Sequence, residues 1–164
     1  MDQSPDVSSL ARTLADRLSN RRQWLAVAES CTGGLIAKTL TDLPGSSGWF
    51  ERGLVTYSNL AKQDLLGVPA EIIEKYGAVS RETAEAMAAG LLGEAPVDWA
   101  LSVTGIAGPG GGSPDKPVGL VWMAWAERKG RCDSAEFRFA GDRGEIRDQA
   151  TVAALLGLLE RMNT

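Results

Sequence analysis

Trp24-Leu25-Ala26-Val27-Ala28, continued by Glu29-Ser30-Cys31-Thr32-Gly33-Gly34 and then by Leu35-Ile36-Ala37-Lys38-Thr39-Leu40, decides how this chain is read. The first five residues form an apolar run of strand length. The last six have helical spacing, so the middle six form a strand-to-helix turn. The first turn of a helix carries backbone N–H groups without intrahelical partners and the positive end of the helix dipole. Such a turn suits an anion, whether a phosphate or a developing oxyanion. Gly33 and Gly34 lack a Cβ and let a ligand approach the backbone. The same residues also suit a plain connection in which Ser30 or Thr32 caps the helix.

Upstream, Leu10, Leu14 and Leu18 recur at helical spacing from Ser8, read as the cap, to about Asn20. Downstream, Pro44 to Gly48 forms a loop, and Arg52-Gly53-Leu54-Val55-Thr56-Tyr57 reads as a second strand. Ser58 and Asn59 cap a short helix through Lys62 to Leu66, which makes a second strand-to-helix junction bearing Tyr57 and Lys62. A helix spans 70–76, and Ser80 caps a longer one with Ala84, Met87, Ala88, Leu91 and Leu92 on one face. Asp98 to Thr104 is a third strand, followed by a glycine-rich loop from Gly105 to Pro117. Val118 to Ala126 and Cys132 to Ala140 form an antiparallel hairpin, with Trp122 and Trp125 on opposite faces. Asp142 and Glu145 have capping-box spacing at the start of a last helix to about Arg161. This alternation predicts a three-layer α/β/α sandwich with a mixed, mostly parallel sheet and an antiparallel hairpin at one side. Ligands of such folds collect beyond the carboxyl ends of the strands, where the turns after Ala28, Tyr57 and Thr104 converge.

The 164 residues suit one domain with a sizeable core. Hydrophobic residues at 44% and charged residues at 23% are ordinary for a globular protein. A net charge of -4 offers no basic footprint for nucleic acid. No run is long and apolar enough to span a bilayer, and Met1 to Val7 is unlike a signal peptide. The expected place is the cytoplasm. Two cysteines, Cys31 and Cys132, are too few for a disulfide framework or a cysteine-rich zinc site. The absence of histidine removes the commonest metal ligand and the commonest general base together.

A serine nucleophile at Ser30 must therefore be activated by a lysine, a tyrosine or a carboxylate. Lys62 and Tyr57 lie on the neighbouring junction and make a Ser-Lys-Tyr arrangement reasonable. Cys31 is a rival nucleophile, because a helix N-terminus lowers a thiol pKa, and it also reads as a small core hydrophobe. Glu29 is open to a role as base or as partner of an arginine. The loop after Thr104, with Arg143 and Arg147 four residues apart on one helix face, suits a phosphate. No Walker loop is present.

In order along the chain, the segments 28–34, 45–50, 53–59 with Lys62, 77–80, 104–112 with 116–119, and 141–143 with Arg147 resemble the nicotinamide-nucleotide amidase family. That family is also known as the C-terminal domain of the competence-damage-inducible protein CinA. The resemblance implies hydrolysis of nicotinamide mononucleotide to nicotinate mononucleotide and ammonia, with no cofactor and no metal. It implies Ser30 as nucleophile, with Lys62 and Tyr57 activating it and moving the proton. Backbone around Cys31, Thr32, Gly33 and Gly34 would supply an oxyanion hole. Glu29, Asn59, Thr104, Gly105, Ile106 and Gly108, with Arg143 and Arg147, would complete the substrate site. The family is commonly dimeric, which implies a homodimer; the charge balance and the lack of a long apolar run point to no nucleic-acid or membrane partner. The alternative is a noncatalytic nucleotide- or phosphate-binding module of the same fold.

Overall fold

In the computed structural model, which describes residues 5–163, five strands form one sheet in the order β2-β1-β3-β4-β5. They are β1 (Leu25–Glu29), β2 (Phe50–Val55), β3 (Trp99–Gly105), β4 (Leu120–Glu127) and β5 (Cys132–Arg138). β1 pairs in parallel with β2 and β3, while β3–β4 and β4–β5 are antiparallel. Four strands therefore run one way and only β4 is reversed, as expected of a mixed sheet with a hairpin at one edge.

Helices α1 (Val7–Arg21), α2 (Leu35–Thr41) and α6 (Arg143–Met162) cover one face. Helices α3 (Asn59–Leu66), α4 (Ala70–Tyr76) and α5 (Arg81–Glu94) cover the other. β1 and β3 are buried almost throughout, because helices cover both of their faces. Trp125 packs into the α1/α2/α6 layer, whereas Trp122 faces α5 with the Arg81 guanidinium 5.5 Å from its ring. The two tryptophans thus take opposite faces.

Local chemistry sets most helix starts. Ser58 and Ser80 cap α3 and α5 through their side chains, and Asp142 with Glu145 forms a complete capping box on α6. The first helix differs from expectation: Asp6, not Ser8, is its cap, since the Asp6 carboxylate accepts the Ser8 N–H. A carboxylate also favours the positive end of the dipole.

Gly90 controls where α3 sits. A Cβ on this helical glycine would lie 1.8 Å from the Leu66 carbonyl oxygen, so α5 and the end of α3 meet backbone to backbone. Gly93, three residues on, has open space around it. Gly90→Ala is therefore expected to destabilise the fold by about 1–3 kcal/mol. Gly93→Ala should stabilise it by up to about 1 kcal/mol, the ordinary helix-propensity gain. Denaturant unfolding of the pair checks this, and equal effects of the two would contradict it.

Candidate active site

β1 ends where two ladders continue past it: the Ser30 N–H donates to Val103 O (3.0 Å) and the Thr56 N–H to Glu29 O (2.8 Å). These bonds hold Ser30 between the ends of β2 and β3. The turn then tightens through Gly33 (φ 58°) and Gly34 (φ 101°), left-handed conformations that glycine adopts without strain. A Cβ on Gly33 would also lie 3.0 Å from the Arg147 guanidinium.

Glu29 behaves as neither a base nor an arginine partner. Its carboxylate is 1% exposed and accepts the N–H groups of Ile36 (2.9 Å) and Ala37 (3.0 Å). The positive end of α2 is thus occupied by the chain's own carboxylate. The Ile36 and Ala37 N–H groups are therefore taken, while those of Thr32 and Gly34 in the turn before them are not. The physical reason is proximity: a carboxylate at the strand end reaches the first free N–H groups of the helix that follows.

Lys62, in α3, is 1% exposed. Its Nζ lies 3.1 Å from Ser30 Oγ and donates to the carbonyls of Thr56 (3.1 Å) and Tyr57 (3.2 Å). Among the described residues no carboxylate is paired with it, and burial pulls its pKa down from the usual lysine value, with the neighbouring Cys31 pulling weakly the other way. Carbonyl oxygens only accept, so a neutral Lys62 gives its two N–H groups to Thr56 and Tyr57. Its lone pair is then free to take the proton of the Ser30 hydroxyl, which in this structure accepts from Nζ and donates to the Tyr57 carbonyl at 3.5 Å. That is the arrangement a general base requires.

The Tyr57 phenol stands elsewhere. It is exposed, and its oxygen accepts a hydrogen bond from Arg143 Nη2 (2.9 Å). Tyr57 reaches Lys62 through its backbone carbonyl, so the expected contact of the phenol with the nucleophile is not what the structure holds. Arg143 Nη1 also donates to Gly108 O (2.8 Å), tying the turn after β2 to the loop after β3. Arg147 donates to the carbonyls of Cys31 (3.1 Å) and Thr32 (3.1 Å) and so braces the turn bearing Ser30. The two arginines share a face, as their spacing indicates.

Thr104 is buried, and its hydroxyl donates to Ala78 O (2.7 Å), which makes it a tether for the turn before α5. Gly105 lies against the nucleophile turn: a Cβ there would be 3.0 Å from Cys31 Sγ and 2.7 Å from a Val121 methyl. Ile106 pairs through its backbone with Leu120 and Gly119. Gly108 has φ 78°, and a Cβ there would meet Val118 at 2.4 Å. Asn59 is exposed at the first position of α3, beside its cap.

Cys31 is 6% exposed, and burial pushes its thiol up to about 11. The helix end does not activate it. Glu29 already occupies the N–H groups of α2, and desolvation outweighs what remains. Among the described residues no cluster of three metal-ligating side chains occurs, and no helix is long and apolar enough to cross a membrane.

Two features escaped sequence reasoning. One is the close approach at Gly90, which a glycine in mid-helix could have signalled. The other is Thr56, whose buried hydroxyl has no partner among the described residues.

A buried serine-lysine pair thus lies beyond the strand ends of an α/β sandwich, in a chain without histidine. A family profile described as CinA C-terminal domain matches residues 7–162, and the chain belongs to that family. It is 56% identical over 132 residues to a protein of Enterobacter agglomerans named nicotinamide-nucleotide amidohydrolase PncC, covering 80% of each. The protein of that name in Escherichia coli K12 is 46% identical over 156 residues, covering 95% of this chain and 94% of that one. A CinA-like protein of Geobacter sulfurreducens is 56% identical over 140 residues, and the match takes in only 34% of its length. The chain thus spans about a third of that longer relative. The crystal structure of the competence/damage inducible protein CihA from Agrobacterium tumefaciens superposes with a TM-score of 0.94 at 45% identity over all of both chains.

Proposed function

We propose that this chain is a nicotinamide-nucleotide amidohydrolase that converts nicotinamide mononucleotide and water to nicotinate mononucleotide and ammonia. The observation that carries the reading is the buried Lys62 amine, 3.1 Å from Ser30 Oγ, with no carboxylate paired to it among the described residues. The named relatives support the choice of substrate.

Ser30 Oγ attacks the carboxamide carbon as its proton passes to Lys62 Nζ. The resulting ammonium is held by the Thr56 and Tyr57 carbonyls, and its third N–H points at the reacting atoms. The turn's N–H groups on Thr32 and Gly34, which no carbonyl or carboxylate engages, are left to meet the oxyanion. When the C–N bond breaks, Lys62 returns the proton to nitrogen and ammonia leaves an ester on Ser30. Water then attacks that ester, giving one proton back through Lys62 to Ser30 Oγ, and the carboxylic acid released gives up its other proton to solvent or to the departed ammonia. We assign the proton transfers to Lys62 and give Tyr57, with Arg143, the wall against which the nucleotide lies. Arg143 and Arg147 supply the positive charge facing the phosphate. Ammonia release from nicotinamide mononucleotide by metal-free protein tests the reading. Tight binding of the nucleotide without release would favour the noncatalytic binding module instead.

We also infer that the chain is a single cytoplasmic domain working as a homodimer on a small nucleotide. Val55, Tyr57, Leu60 and Leu65 are large exposed apolar residues on the end of edge strand β2, the turn after it and α3. A second copy would cover them and close the open side of the site. Light scattering should give twice the 17.4 kDa chain mass, and Leu60→Glu should shift it towards one chain. A monomeric wild type would contradict the inference.

A further inference from the structure

The turn after β1 carries Ser30, and a side chain from the last helix grips it. Arg147 lies half-buried near the start of α6, and one edge of its guanidinium spans two successive carbonyls of the turn. Its Nε donates to Cys31 O (3.1 Å) and its Nη2 to Thr32 O (3.1 Å). Among the described residues no backbone N–H is bonded to the Cys31 carbonyl, so Arg147 supplies its partner. The Thr32 carbonyl shares a planar peptide unit with the Gly33 N–H, which donates to Ser30 O (3.0 Å). A single rigid plane therefore connects the guanidinium to the backbone of Ser30. Gly33 fits this seat, since a Cβ there would crowd Nη2 at 3.0 Å. From the opposite layer, Lys62 Nζ lies 3.1 Å from Ser30 Oγ. The serine is thus fixed between a lysine of α3 and an arginine of α6.

We propose that Arg147 is a positioning residue, whose guanidinium edge holds the turn so that Ser30 Oγ stays within reach of Lys62 and aimed at the carboxamide carbon. The inference rests on the amidase reading given above and gives Arg147 a task separate from its charge. Nε and one N–H of Nη2 are spent on the turn, which leaves the other N–H groups to face the phosphate. Arginine can do both because its donors form a planar fork. A lysine ammonium carries the same charge as a single point and cannot span two carbonyls in that way. Arg147 forms no covalent bond and passes no proton, so its effect on rate comes through the placement of Ser30. A displacement of the attacking oxygen by about 1 Å is enough to cost on the order of a hundredfold.

The test is steady-state ammonia release from nicotinamide mononucleotide by wild type, Arg147→Lys and Arg147→Gln, with melting temperatures of the ligand-free proteins to give the folded fraction at the assay temperature. Arg147→Lys should lower kcat per folded molecule roughly tenfold to a hundredfold while KM stays within about threefold, because the charge is kept and the fork is lost. Arg147→Gln, with one amide donor group and no charge, should lose kcat to a similar extent and raise KM as well. It carries the kcat test if the lysine variant fails to fold. A lysine variant with wild-type kcat per folded molecule overturns the proposal, since charge alone would then suffice. A loss confined to KM in both variants also overturns it, making Arg147 a phosphate ligand only. A wild type that releases no ammonia overturns the amidase reading itself, and the role of Arg147 with it.

Discussion

Lys62→Met is expected to lower ammonia release from nicotinamide mononucleotide by on the order of 10³-fold while leaving the fold intact. Methionine matches the lysine stem in length and apolar character but offers no lone pair to the Ser30 hydroxyl. Lys62→Arg should be no better, because a guanidinium stays charged at every accessible pH and cannot take the proton. The pH dependence follows from the direction of the shift. Burial lowers the folded-state pKa below the usual 10.5, so the amine becomes neutral earlier in the folded enzyme than in the unfolded chain. Wild-type kcat/KM should rise with pH through that lowered value. Folding stability should also rise with pH between the lowered value and 10.5, because there the unfolded chain binds the extra proton. Lys62→Met should lack both trends. A methionine variant with wild-type activity, or a wild type whose rate does not rise with pH, would contradict the assignment.

Ser30→Ala is expected to abolish ammonia release, leaving at most on the order of 10⁻³ of the wild-type rate, with nucleotide binding retained. Only the hydroxyl is lost, and the backbone bonds that hold the turn to Val103 and Gly33 remain. Cys31→Ala should keep the rate within about a few-fold, since a core thiol is removed and no nucleophile with it. Its thiol, pushed up to about 11, is not a thiolate at neutral pH. Alkylating reagent should therefore label the exposed Cys132 before the buried Cys31, without loss of activity. Inactivation that follows labelling of Cys31 in a Ser30→Ala protein still releasing ammonia would make this a cysteine enzyme.

Most of the fold could be read from local pattern because local chemistry dictates it. The serine caps at 58 and 80, the Asp142 capping box and the opposed tryptophans of β4 each depend on a few adjacent residues. The first cap was harder, because Asp6 and Ser8 are both good caps and only geometry chooses between them. In the site, Ser30 and Lys62 could be brought together from the topology of neighbouring strand-to-helix turns. Their environment could not. The lowered Lys62 pKa comes from how completely the folded chain buries the amine, which no local pattern around Lys62 reveals. Glu29 illustrates the same limit: its partners lie seven and eight residues on, in a helix whose start is set by the αL conformation of Gly34. Thr56 carried no signal at all beyond strand propensity.

The protonation of Lys62 is the point on which the account turns, and NMR titration of selectively ¹³Cε-labelled lysine, assigned by the missing signal of Lys62→Met, measures it directly. The expected result is a Lys62 midpoint below 10.5, the usual lysine value. A Lys62 that remains an ammonium up to and beyond 10.5 would leave Ser30 without a base and contradict it.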